Sequence, residues 1–174
     1  KNKIVGMAGI LDSSRFIYFL SEELKVSVQK IKSFVLGGHG DSMVAMLGLT
    51  EVDGKKINEL VKEGKIKQEK LDQIIERTKK GGAEIVKYLE KGSAFYAPAA
   101  SGVEMATSYL QDLKKQLPCA AFLNGEYGVK DLYAGVPVII GSRGVEKVVE
   151  LELNSEEKDN FEKSIQAVRD LFKD

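Results

Sequence analysis

The block from residue 117 to 153 does most to limit what this chain can fold into. It reads as three strands, 118–124, 132–140 and 146–153, with Asn124-Gly125 and Gly141-Ser142-Arg143-Gly144 as turns. Connections this short leave no room for a crossover helix, so neighbouring strands run antiparallel. A second strand group lies nearer the start. Ile31–Leu36 is rich in β-branched and aromatic residues, and Met43–Val52 closes on an Asp-Gly turn at Asp53-Gly54. Helical periodicity fills the rest. Phe16, Phe19, Leu20 and Leu24 recur at three- and four-residue spacing over 12–24. Leu71, Ile74, Ile75, Ile85, Val86 and Leu89 mark a long helix over 68–89. Gly81-Gly82 interrupts it at about 1 kcal/mol per glycine, which predicts a kink or a close backbone contact. Ala94–Leu113 reads as a helix dense in small residues, with Pro98 in its first turn. Asn154 and Glu157 form a capping-box pattern ahead of a last helix striped by Phe161, Ile165 and Val168. Grouped strands with helices before, between and after specify an α+β fold, antiparallel sheets packed with long helices.

A chain of 174 residues makes one domain with one sizeable core. Its 26 basic and 26 acidic residues balance, and no basic stripe suits nucleic acid. The apolar runs fall short of the ~20 residues that span a bilayer, and Lys1-Asn2-Lys3 does not lead into a signal-peptide core. Cys119, the single cysteine, lies in an apolar strand and reads as an inert core thiol, which suits a reducing, cytoplasmic location. One histidine and one cysteine offer no ligand set for zinc or iron, so no metal is expected.

His39, the single histidine, sits in Val-Leu-Gly-Gly-His-Gly-Asp (35–41), where an apolar run ends in a turn. Such a residue is either hydrogen-bonded and idle or poised for proton transfer. The glycines at 37, 38 and 40 strip side chains from both sides, so a ligand could approach closely. Upstream, Gly-Met-Ala-Gly-Ile-Leu-Asp-Ser-Ser-Arg-Phe (6–16) places Asp12 and Arg15 about one helical turn apart. Asp12 is either an N-cap or, if Ser13 or Ser14 caps, a free carboxylate able to orient the histidine. Asp41 ranks below it for that task. Arg15, on an apolar-leaning face, calls for an anion, and a bidentate carboxylate is its natural partner. No Gly-x-Gly-x-x-Gly fingerprint follows a strand anywhere, and no phosphate loop is present.

Residues 6–16 together with Leu-Gly-Gly-His-Gly-Asp-Ser-Met-Val (36–44) closely resemble the lactate/malate dehydrogenase family, whose pattern is L-D-x-x-R followed by G-x-H-G-D. The likeness continues through Gly-Ser-Ala-Phe-Tyr-Ala-Pro-Ala-Ala-Ser (92–101), Leu-Pro-Cys-Ala-Ala-Phe-Leu-Asn-Gly-Glu-Tyr-Gly (117–128) and Gly-Val-Pro-Val-Ile-Ile-Gly (135–141). Gly-Gly-His-Gly-Asp and the block at 117–128 look like the malate branch. The resemblance covers the carboxyl-terminal half of that enzyme. It implies that 1–174 are a single substrate-binding, catalytic domain, without the amino-terminal Rossmann domain that binds most of NAD, and inactive alone. It further implies that His39 is the acid–base group, that Asp12 orients it, and that Arg15 grips the carboxylate of malate or oxaloacetate. Ala94 would line the substrate pocket and Pro98 would lie near the nicotinamide. A homodimer or homotetramer is implied as well. A lactate or other 2-hydroxy-acid dehydrogenase domain, or a non-catalytic oligomerisation module, are the alternatives.

Overall fold

The three-strand block builds the main sheet. A computed structural model describes residues 1–172. Strand β7 (Lys130–Gly141) is its spine and pairs along its length with β6 (Lys115–Asn124), antiparallel. The other edge of β7 is shared. Strand β8 (Gly144–Val148) pairs with residues 138–141, and β2 (Val35–Gly37) meets β7 where Gly37 faces Gly135. A Cβ on Gly135 would stand 2.6 Å from the Gly37 carbonyl oxygen, so only glycine allows this approach. Strand β3 (Met43–Ala45) completes the sheet in the order β3-β2-β7-β6. The α+β, antiparallel architecture matches the sequence expectation.

The expected strand Ile31–Leu36 is in fact two. β1 (Ile31–Lys32) pairs with β4 (Glu51–Val52) in a small sheet completed by β5 (Lys55–Lys56), while β2 joins the main sheet. The chain changes sheet at Ser33-Phe34, where the buried Ser33 hydroxyl meets Thr50 Oγ1 at 2.8 Å. Met43–Val52 likewise breaks, into β3, a 3-10 turn Leu47–Leu49 and β4. The last strand stops at Val148, short of the expected residue 153.

Helix α1 (Ala8–Leu24) starts four residues before the predicted 12. Helix α2 (Ile57–Lys62), unassigned by the periodicity, precedes α3 (Gln68–Leu89), which runs unbroken through Gly81-Gly82. Helix α4 spans Tyr96–Leu110, narrower than Ala94–Leu113. It ends where the Ser108 hydroxyl donates to the Ile140 carbonyl and accepts the Lys115 N–H, tying the helix to the sheet. Helix α5 (Ser155–Asp170) carries the predicted capping box at Asn154 and Glu157.

Where the sequence predicted one core, two apolar cores lie on either side of α1. Ile10 packs with Cys119, Leu123, Val136 and Phe161 against the sheet, whereas Phe16 and Leu20 pack with Leu71, Ile74 and Ile57 beneath α2 and α3. The capping box also reaches beyond its own helix. Glu157 Oε1 accepts the Gly48 N–H at 2.7 Å while Oε2 accepts the Asn154 N–H at 3.1 Å. Asn154→Ala should therefore cost about 1 kcal/mol, the value of one cap. Glu157→Ala should cost about 2–4 kcal/mol, since it strands a partly buried amide as well. Urea denaturation of both variants measures this, and equal losses would show that the Gly48 bond contributes nothing.

Candidate active site

Helix α1 is pinned before it presents any chemistry. A Cβ on Gly9 would fall 2.5 Å from the Pro118 carbonyl oxygen, so the helix lies directly on β6. Four residues on, Ser13 Oγ accepts the Val35 N–H at 3.0 Å and locks α1 to β2. Asp12 lies between these two anchors, 1% exposed. The N-cap position belongs to Met7, so the capping reading of Asp12 fails: the carboxylate points inward from inside the helix. Its Oδ2 is 2.8 Å from His39 Nδ1. Asp12 is thus the ring's partner, while Asp41 sits exposed in the 3-10 turn Gly40–Ser42.

A carboxylate only accepts hydrogen bonds, so Nδ1 carries the proton and the neutral ring keeps its lone pair on Nε2. The hydrogen bond that His39 donates to Asp12 raises the pKa of the ring above its usual 6.5. The Asp12 charge acts in the same direction, while partial burial and the nearby Arg15 pull it down. The His39 side chain is 54% exposed, so the group forms an open edge rather than a closed cavity. A concavity of about 810 Å³ between α3 and α5 is lined by Ser42, Asp72, Lys79 and Lys163, not by His39.

Two of the glycines around His39 are needed for internal packing. Gly37 has φ +86°, and a Cβ there would lie 2.2 Å from Ser164 Oγ; one on Gly38 would lie 2.0 Å from Ser42 Oγ. Ser164, from α5, accepts the Gly38 N–H at 2.8 Å and donates to the Ser42 carbonyl. One hydroxyl thus closes the turn on both sides of His39. The sequence reading missed Ser164, although a serine between Phe161 and Ile165 on an apolar stripe is a visible signal.

Arg15 is also mostly enclosed, with 11% of its side chain exposed. Its Nη1 is 3.7 Å from Asp12 Oδ1, too long for a bidentate pair. Asp12 Oδ1 and Arg15 Nε have no hydrogen-bond partner. The guanidinium fork is therefore not consumed by Asp12. Ala94 lies half-buried just before α4, outside the helix that the sequence predicted to include it, and Pro98 is in its first turn. Helix α4 packs against α1, the helix that carries Asp12. Among the described residues, no cluster of His, Cys, Asp and Glu suits a metal ion, and no helix is long and apolar enough to cross a membrane. Cys119 is fully buried, and burial pushes its thiol up to about 12.

A sequence profile of the lactate/malate dehydrogenase alpha/beta C-terminal domain matches residues 10–174. The chain belongs to this family. It is 64% identical over 171 residues to a malate dehydrogenase of Pelagibacter ubique, covering 98% of this chain and 53% of that protein. Among solved structures, the malate dehydrogenase of Cryptosporidium parvum superposes with a TM-score of 0.94 at 45% identity, covering 98% of this chain and 54% of that one. The lactate dehydrogenase of the same organism, complexed with lactic acid and nicotinamide adenine dinucleotide, gives 0.95 at 42%, with the same coverage. The chain thus spans about half the length of these relatives. Malate and lactate enzymes share this domain's fold almost equally.

The raised His39 pKa has a consequence for stability. The folded state holds the proton more tightly than the unfolded chain, so the stabilisation is complete below about pH 6.5 and fades as pH rises through the folded-state value. Asp12→Asn should move the ring's titration to lower pH and flatten this dependence. Ring-proton NMR titration and urea melts across that range measure both. An unchanged titration midpoint would show that Asp12 does not hold the ring.

Proposed function

We propose that the protein carrying this chain is an NAD-dependent malate dehydrogenase, and that residues 1–174 are its single substrate-binding, catalytic domain. The carrying observation is the 2.8 Å contact of Asp12 with His39 Nδ1, which leaves Nε2 unbonded on an exposed edge near an unconsumed guanidinium. The 64% identity to a malate dehydrogenase favours malate over lactate.

The residues fit the substrate end of that reaction. Arg15 binds the carboxylate beside the reacting carbon and so orients malate. His39 Nε2 takes the proton of the C2 hydroxyl as the C2–H bond breaks, and returns it in the reverse direction. Asp12 keeps Nε2 as the basic nitrogen and stabilises the imidazolium that forms. NAD, when bound, supplies the hydride acceptor. This chain offers it one candidate contact, Pro98, and has no glycine fingerprint to cradle a pyrophosphate, so most of its binding falls to an amino-terminal Rossmann domain. Ala94 leaves room for a dicarboxylate. A homodimer or homotetramer is proposed too, supported by exposed Tyr96, Val103 and Leu110 on α4. A reducing, cytoplasmic compartment suits the lone buried thiol of Cys119.

A lactate reading remains as the second, because the Cryptosporidium lactate dehydrogenase superposes as well as its malate counterpart. Steady-state assays of the full-length protein with oxaloacetate and with pyruvate, each with NADH, decide between them. Oxaloacetate is expected to be the better substrate, and a preference for pyruvate overturns the malate assignment. Arg15→Lys should raise KM for oxaloacetate by about ten- to hundredfold, matching a loss of about 1.5–3 kcal/mol, with KM for NADH unchanged. An unaltered KM would make Arg15 a packing residue only.

Proton transfer through one group also sets opposite pH responses. Malate oxidation needs the neutral ring and should rise with pH through the His39 ionisation, whereas oxaloacetate reduction should fall through the same midpoint. His39→Asn should abolish this ionisation in both directions. Two unrelated midpoints in paired pH–rate profiles would refute a shared acid–base group.

A further inference from the structure

Helix α3 carries two residues that nothing in its own geometry explains. Gly81 and Gly82 stand inside a 22-residue helix, where each disfavours the helical state relative to alanine. The helix runs through them without interruption, and neither has a positive φ. A local rule broken without local gain points to a use elsewhere. That use is Arg15. A Cβ built on Gly81 would stand 3.0 Å from Arg15 Cδ and 3.3 Å from Nε. On Gly82 it would lie 3.8 and 3.9 Å from the two terminal nitrogens, which is ordinary contact.

We propose that Gly81 is a positioning residue for substrate: its bare Cα lets the Arg15 side chain rest directly on α3, and so sets where the guanidinium presents its outer N–H groups to the substrate carboxylate. This rests on the role of Arg15 given above. The side chain has little freedom to yield, being only 11% exposed, with Asp12 beside Nη1. Its Nε lies against α3 without a hydrogen-bond partner, and the contact of Nη1 with Asp12 Oδ1, at 3.7 Å, is too long for a hydrogen bond. A methyl group at residue 81 must displace Cδ by a few tenths of an ångström, and the displacement grows toward the end of the lever. Two parallel hydrogen bonds tolerate such a shift poorly.

The test separates position from stability because the two move in opposite directions. In the full-length protein, Gly81→Ala should raise KM for oxaloacetate about three- to tenfold. KM for NADH and the His39 midpoint in the pH–rate profile should stay unchanged. Thermal stability should hold or increase, as alanine favours helix. Gly82→Ala should gain the same helical stability with wild-type KM. Combined with Arg15→Lys, Gly81→Ala should add no further rise in KM, since the group it positions is gone. A wild-type KM in Gly81→Ala, or a rise equal to that of Gly82→Ala, overturns the inference. If Arg15→Lys raises KM but Gly81→Ala does not, only the positioning role falls. If Arg15→Lys itself leaves KM unchanged, the substrate role of Arg15 falls and takes this one with it.

Discussion

Burying a carboxylate to 1% exposure is expensive unless its oxygens are met, and Asp12 is buried to that degree between two apolar cores. One oxygen bonds His39 at 2.8 Å; the other faces Arg15 at 3.7 Å without a hydrogen bond. Helix α1 cannot turn to expose the group, because Ile10 is held by the sheet and Phe16 and Leu20 by the helical core. Packing therefore forces the polar arrangement. The two large apolar commitments of α1 fix its rotation, and that rotation fixes where the carboxylate lies.

The histidine is brought to Asp12 by a different set of constraints. Strand β2 is three residues long, and its pairing with β7 is a single Gly37–Gly135 register. So short a strand does not hold the histidine turn alone. The Val35–Ser13 bond ties its start to α1, and Ser164 closes the turn beyond its end. Glu157 in turn ties the start of α5 to Gly48. The site is thus surrounded by hydrogen bonds between elements distant in sequence, each satisfying a backbone amide that an irregular segment leaves free.

This division explains what can be read from sequence. The grouping of Asp12, Arg15 and His39 follows from local facts: a three-residue spacing on a helix, an arginine on an apolar-leaning face and a lone histidine in a glycine-lined turn. The capping box at Asn154 and the proline near the start of α4 are local too, and both are found. The splitting of residues 31–36 is not local, since Ile31 finds Val52 in one sheet and Val35 finds Ala45 in another. An apolar run says that a segment is buried, not which strand it joins. Gly37 misleads for the same reason: its neighbour, the Ser164 hydroxyl, is more than a hundred residues downstream. Gly81-Gly82 falls between these cases. The sequence shows that a reason must exist, and only the fold supplies Arg15.

The hydroxyl that closes the histidine turn is 126 residues downstream of the amide it accepts. At ordinary synthesis rates of about 5–20 residues per second, that separation is roughly 6–25 s of translation. Asp12 and His39 are thus both made well before Ser164, and helix α1 can seek its place against β2 in the meantime. The turn itself still lacks its clasp. The setting of His39 is therefore completed only after strands β6, β7 and β8 have been made.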